Sequence, residues 1–224
     1  MPKKIGIDFK KASKIASRKP PLPKKDIDIF STGADWELNA RLNFLYDHDF
    51  TYTDGYRLAG DILSRHVKRT KKEQDTLIYP IVFLYRHQLE LRLKEIIRDG
   101  CALFGEKLPK FKEEILTKHD LEKLWKASND ILSLYYASAV KEDPDALLRI
   151  EECVIQFHKV DPGSFSFRYA TDKKGGPSAG GISHINIAQL QAQFSCLAKF
   201  LEAVHKGIII TLGMEKEYKY NMSP

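Results

Sequence analysis

Apolar residues recur every three to four positions from Ile78 to Ile97, the spacing of one helix face. At about 100° per residue, Ile78, Val82, Tyr85, Leu89, Leu93, Ile96 and Ile97 share one arc. This predicts a long central helix over about 77–99, with Gly100 where a helix C-terminus favours glycine. A helix over about 54–68 precedes it. Asp120 reads as the N-cap of the next, with Leu121, Leu124 and Trp125 on its apolar face and an end near Val140. Asp143 followed by Pro144 marks another start, and that helix stops before Asp161, Pro162 and Gly163. Asn186 opens a last helix to about Leu212, with Leu190, Phe194, Leu197, Leu201 and Val204 in register. Phe165 to Tyr169 alternates and reads as a short extended segment. Residues 104–117 form a charged connection, and Lys173 to Gly181 a flexible glycine-rich loop. The fold class that follows is all-α, a bundle of about five main helices with an irregular N-terminal extension.

The central helix carries charge on the side that should be buried. Arg86 falls inside the apolar arc, Glu90 at its border and Lys94 one turn further on. Lone charges are rarely buried, because desolvation is costly without a partner. Spaced i, i+4, i+8, these three are either a paired structural network or the wall of a site. His87 lies off the stripe, as an interhelical hydrogen-bonding residue. Gln88, Arg92, Glu95 and Asp99 fall on the opposite face, where solvent is expected to reach them.

Charge divides the chain. Of 224 residues with net charge +6, residues 1–25 hold nine Lys or Arg and one acid, and the remainder is slightly negative. The basic balance belongs to a tail, which reads as a solvated leader or as an arm gaining affinity from phosphates by counterion release. We divide the chain into a basic tail over 1–35, one helical domain over 36–216 and a C-terminal tail over 217–224. The rings of Trp36, Phe44, Tyr46, Phe50 and Tyr52 predict packing on the main body. No apolar run has the length of a membrane span or a secretory signal. Cys101, Cys153 and Cys196 are far apart and odd in number, against a disulfide framework. A cytoplasmic protein with no membrane association is expected.

Few patterns carry chemistry. The glycine-rich loop lacks a Gly-Lys-Ser/Thr ending and a preceding buried strand, so it is no P-loop. The seven histidines are scattered at 48, 66, 87, 119, 158, 184 and 205, without metal-like pairing. Neither a metal nor a cofactor is expected.

Glu90 and Lys94 on an apolar helix, then a charged loop, then His119, Asp120, Leu121 and Leu124 opening the next helix, form an arrangement that resembles the HEPN superfamily of small helical nucleotide-binding domains. Phe167, Arg168 and Tyr169 are similar to an Arg-Tyr segment of some members, and the likeness covers about residues 54–210. The resemblance implies a helical bundle. It also implies metal-independent RNA cleavage where an Arg, four to six residues and a His lie on a late helix. Here that spacing occurs from Arg41 to His48, in the wrong region, while Arg149 and His158 stand too far apart. The resemblance therefore implies a binding module or partner in a toxin, antiphage or nucleotidyltransferase system.

The expected function is a HEPN-like binding or regulatory module, a homodimer, recognising a nucleotide or RNA phosphate or a protein partner. Arg86, Glu90, Lys94, His119, Arg168 and Lys173 are the ligand-binding candidates. The alternatives are a metal-independent ribonuclease with a rearranged site, using His87, His119 and Arg168 for acid–base work and phosphate clamping, and a structural interaction module with no ligand.

Overall fold

A computed structural model describes residues 21–42, 48–105, 108, 113–139, 143 and 145–221. The chain divides into two units at Phe44/Leu45. In the first, described over 21–42, a short 3-10 turn spans Trp36–Leu38. Asn39 ties the turn by accepting from Gly33 N at 2.8 Å and donating to Gly33 O at 3.0 Å. Trp36, Leu38 and Leu42 are exposed, whereas the sequence predicted a packed ring at Trp36. Phe44 and Tyr46 lie outside the described residues.

The second unit is an all-α bundle of five helices: α1 (His48–Thr70), α2 (Gln74–Phe104), α3 (Leu121–Ala139), α4 (Ala146–Val160) and α5 (Ile187–Asn221). Helix α2 is the hub, packed by α1, α3 and α5. Five residues of its predicted stripe, Tyr85, Leu89, Leu93, Ile96 and Ile97, together with Ile81, which lay outside that stripe, form the core with Leu121, Leu124 and Trp125 of α3 and Phe194, Leu197 and Leu201 of α5, and Ile78 packs against it half-buried. Two caps stand where the sequence placed them. Lys123 N donates to Asp120 Oδ1 at 3.1 Å, and Gln189 N to Asn186 Oδ1 at 3.0 Å, satisfying amides that the first turn leaves unpaired.

Three further expectations are corrected. Helix α2 continues through Gly100 to Phe104. The glycine serves a close helix–helix approach, since a Cβ there would run into the Ile131 side chain of α3. Helix α4 begins at Ala146, and Asp143 instead accepts from Asp145 N at 3.2 Å in the preceding turn. Pro144 lies outside the described residues. Phe165 to Arg168 is a turn closed by Arg168 N donating to Phe165 O at 3.1 Å, because Asp161 Oδ1 gathers the Phe165 and Ser166 amides at 2.6 and 2.9 Å. The glycine-rich loop is a loop as expected and uses the same device, with Lys174 N and Gly176 N both donating to Asp172 Oδ1 and an isolated bridge from Thr171 to Pro177. No strand occurs among the described residues.

Candidate functional site

The charged residues of the α2 stripe converge on one carboxylate. Glu90 Oε2 accepts from Arg86 Nη1 at 2.8 Å, and Glu90 Oε1 faces both Lys94 Nζ at 2.8 Å and His119 Nδ1 at 2.7 Å. Helical spacing brings Arg86 and Lys94 to Glu90 from one turn either side. The Asp120 cap sets where α3 starts and so holds His119, the residue before it, at the mouth of the site. Burial pushes the Glu90 carboxyl up, but the hydrogen bonds from Lys94, Arg86 and His119 outweigh it and hold the group below its usual range.

Arg86 is wholly buried, and its guanidinium is spent on structure. Besides Glu90, Nε donates to Asp161 O at 2.9 Å and Nη2 to His119 O at 2.5 Å. One side chain thus pins the end of α4 and the start of α3 to α2. It cannot also reach a ligand. The members that reach the surface are different: His119, whose side chain is 61% exposed, and the half-buried Lys94, at 19%. With Nδ1 committed to Glu90, His119 keeps Nε2 for a partner outside.

A cationic and aromatic edge adjoins this pair. The Arg168 guanidinium lies 5.9 Å from the centre of the Phe83 ring and 5.8 Å from that of Tyr169. Phe83 stacks on His87, which Tyr56 of α1 meets edge-on at 4.5 Å. His87 is therefore held by rings and not by the interhelical hydrogen bond expected of it. Burial lowers its basicity, and Glu90 only partly offsets this. Phe83, His87, Glu90 and Lys94 follow one another along a single edge of α2, so the edge runs from Arg168 to His119. Lys173 stands exposed in its own turn, and no hydrogen bond ties it to the cluster. The side chain of His48, half of the Arg41–His48 spacing, lies outside the described residues.

The opposite face of α2 holds a second network where solvent was expected. Gln88, Arg92 and Glu95 are buried. Arg92 Nη1 donates to Glu95 Oε2 at 2.6 Å and to His205 Nδ1 of α5 at 2.7 Å. His205 Nε2 meets Asp99 Oδ2 at 2.7 Å, and Thr53 of α1 donates to Glu95 Oε1. A donor at Nδ1 fixes the tautomer: Nε2 carries the proton and gives it to Asp99. Burial raises the Glu95 carboxyl above its usual range against the pull of Arg92, Thr53 and His205. Burial also pushes Asp99 up, but hydrogen bonds from His205 and Arg98 outweigh it and hold that group low.

A single amphipathic face was the wrong expectation for a helix surrounded by three others. The signal that could have found the second network is the i, i+4, i+7, i+11 spacing of Gln88, Arg92, Glu95 and Asp99, itself a helical stripe.

Among the described residues, no group of three or more His, Cys, Asp or Glu side chains is arranged to hold a metal ion, and no helix is long and apolar enough to cross a membrane. The chain matches no family model, no curated protein and no solved structure.

Proposed function

We propose that this chain is a HEPN-like helical binding module that recognises an anionic ligand, a nucleotide or RNA phosphate, on the α2 edge between Arg168 and His119. The observation that carries the reading is the Glu90–His119 pair: a buried carboxylate, held ionised by Arg86 and Lys94, orients an exposed imidazole. Next to it, Arg168 lies over Phe83 and Tyr169. Cations beside ring faces are what single-stranded nucleic acid uses, with phosphates on the charges and bases on the rings.

The module works in the cytoplasm as a homodimer or beside a protein partner in a toxin or antiphage system. Exposed Leu58 and Ile62 on α1 and Ile210 and Met214 on α5 support an association surface.

Binding of labelled single-stranded RNA across a salt series tests the reading. His119→Ala and Arg168→Ala should each weaken binding, and Arg168→Ala should flatten the salt dependence by about one phosphate contact. Unchanged affinity in both, with folding intact, sinks the proposal.

One observation favours a second reading, metal-independent cleavage: a carboxylate-oriented histidine with a free nitrogen is the form a general acid or base takes. Against it, the one histidine on α5, the late helix, is His205, which is buried with both ring nitrogens engaged.

A further inference from the structure

Helices α4 and α5 do not close fully on each other. With the segment over 182–186 they leave a cleft of about 490 Å³, within the roughly 300–1,000 Å³ usual for ligand pockets. Its lining includes the rings of Phe157 and Phe194, the imidazole of His184 and four side-chain amides: Gln156 from α4, Asn186, and Gln189 and Gln193 from α5. The last two are i, i+4 and so share a helix face. Asn186 Oδ1 accepts from Gln189 N, while the three glutamine amides are exposed and no hydrogen bond within the described residues engages them. No lysine, arginine, aspartate or glutamate lines the cleft, and His184 is the basic side chain that does.

Each of these features narrows the ligand. A cation would be desolvated against rings with no carboxylate to meet it, and an anion would find one exposed imidazole and no lysine or arginine. A wholly apolar ligand would cover amides without pairing them, which costs their hydration. A carboxamide presents a donor and an acceptor side by side, and its complement is another amide-type edge.

We propose that the α4–α5 cleft binds a small, uncharged, planar molecule carrying an amide or lactam edge, its ring against Phe157 and Phe194 and its edge on the glutamines. This site is separate from the anion-binding edge and does not rest on it.

Cys153 lines the cleft, while Cys196 and Cys101 do not. Alkylation of each thiol in the full-length protein, followed by mass spectrometry, therefore reads occupancy at this place. The probes are benzamide, its charged isostere benzoate and its apolar isostere ethylbenzene. Benzamide should slow alkylation of Cys153 and leave the other two thiols alone, and benzoate should have no effect. Gln193→Leu and Gln156→Leu keep side-chain bulk on exposed helix positions, and each should weaken benzamide protection by roughly two- to tenfold. His119→Ala and Arg168→Ala should leave it unchanged, so this test can fail or succeed independently of RNA binding.

Four results would overturn the proposal. They are no protection by benzamide at its solubility limit, equal protection by benzoate, stronger protection by ethylbenzene, or glutamine variants that protect like the parent. Protection that rises with protein concentration alone would also overturn it, placing a second copy in the cleft.

Discussion

Glu90 Oε1 and His119 Nδ1 lie 2.7 Å apart, yet the carboxylate is 1% exposed and the imidazole 61%. One hydrogen bond thus joins the inside of the bundle to its surface. What makes this arrangement stable is Arg86 on the inner side. Without it, Glu90 would keep its charge in the core with support only from groups at the surface.

Arg86→Ala should therefore be severe. It leaves Glu90 and the carbonyls of Asp161 and His119 without their donor, and breaking an enclosed pair this way costs about 3–5 kcal/mol. A double variant, Arg86→Met with Glu90→Leu, removes the charges together and should recover much of the loss. Urea unfolding of both proteins checks this, and a single variant as stable as the parent would contradict it.

The two buried glutamates should respond to pH in opposite directions. Glu90 sits below its ordinary 4.5. Its contribution is present above that value and fades as pH falls through the lower folded-state value. Glu95 sits above its ordinary 4.5. Its contribution is complete below that value and is lost as pH rises through the higher folded-state value. The stability gap between parent and Glu90→Gln should therefore close in acid. The gap to Glu95→Gln should shift in favour of the variant from acid towards neutral pH. Unfolding curves for the three proteins across that range decide it, and gaps that move in the same direction would refute the assignment.

The contrast between these two glutamates also marks how far the sequence could be read. The Arg86–Glu90–Lys94 line was legible because charge inside an apolar stripe violates the burial pattern and demands a partner. The helix order and the Asp120 and Asn186 caps were legible from local chemistry. The network of Arg92, Glu95 and His205 was not, because it depends on α1 and α5 closing over the second face of α2. The stripe of Gln88, Arg92, Glu95 and Asp99 marks that face as a helical row, but nothing local on α2 reports which neighbours cover it. Arg168 was named as a candidate, but its place over Phe83 depends on Asp161 gathering the amides of the next turn, a side-chain contact invisible to periodicity.

That dependence is testable. Asp161→Ala removes the acceptor for the Phe165 and Ser166 amides, leaving partly buried donors unpaired at about 1–3 kcal/mol. Hydrogen exchange should speed up locally over 164–169, and trypsin should cut after Arg168 more readily. Exchange that is unchanged in this segment would show that the turn is held by something other than Asp161.

Gly100 offers a test of packing. Alanine is the better helix former by about 1 kcal/mol, so an exposed glycine replaced here would stabilise. The Ile131 side chain occupies the space a Cβ needs, and overpacking of this kind costs about 1–3 kcal/mol. Gly100→Ala should therefore lower the melting temperature, and adding Ile131→Val should restore part of it. A more stable Gly100→Ala would mean that α2 and α3 can separate at no cost.

The last prediction concerns cleavage. Acid–base catalysis on RNA needs a proton-transfer group within about 3 Å of the reacting oxygen and a cation held beside the phosphate. His119 meets the first need with its outward nitrogen. Lys94, which shares Glu90 with it, is already bonded to that carboxylate at 2.8 Å, Arg86 is buried, and Arg168 lies along the edge behind the Phe83 and His87 rings. His205, on the late helix, is sealed by Arg92 and Asp99. The geometry suits holding a phosphate more than breaking one. RNA incubated with the purified protein in EDTA should be bound and recovered intact. Cleavage that disappears in both His119→Ala and Arg168→Ala, with helical content unchanged, would reverse this and make the edge a nuclease site.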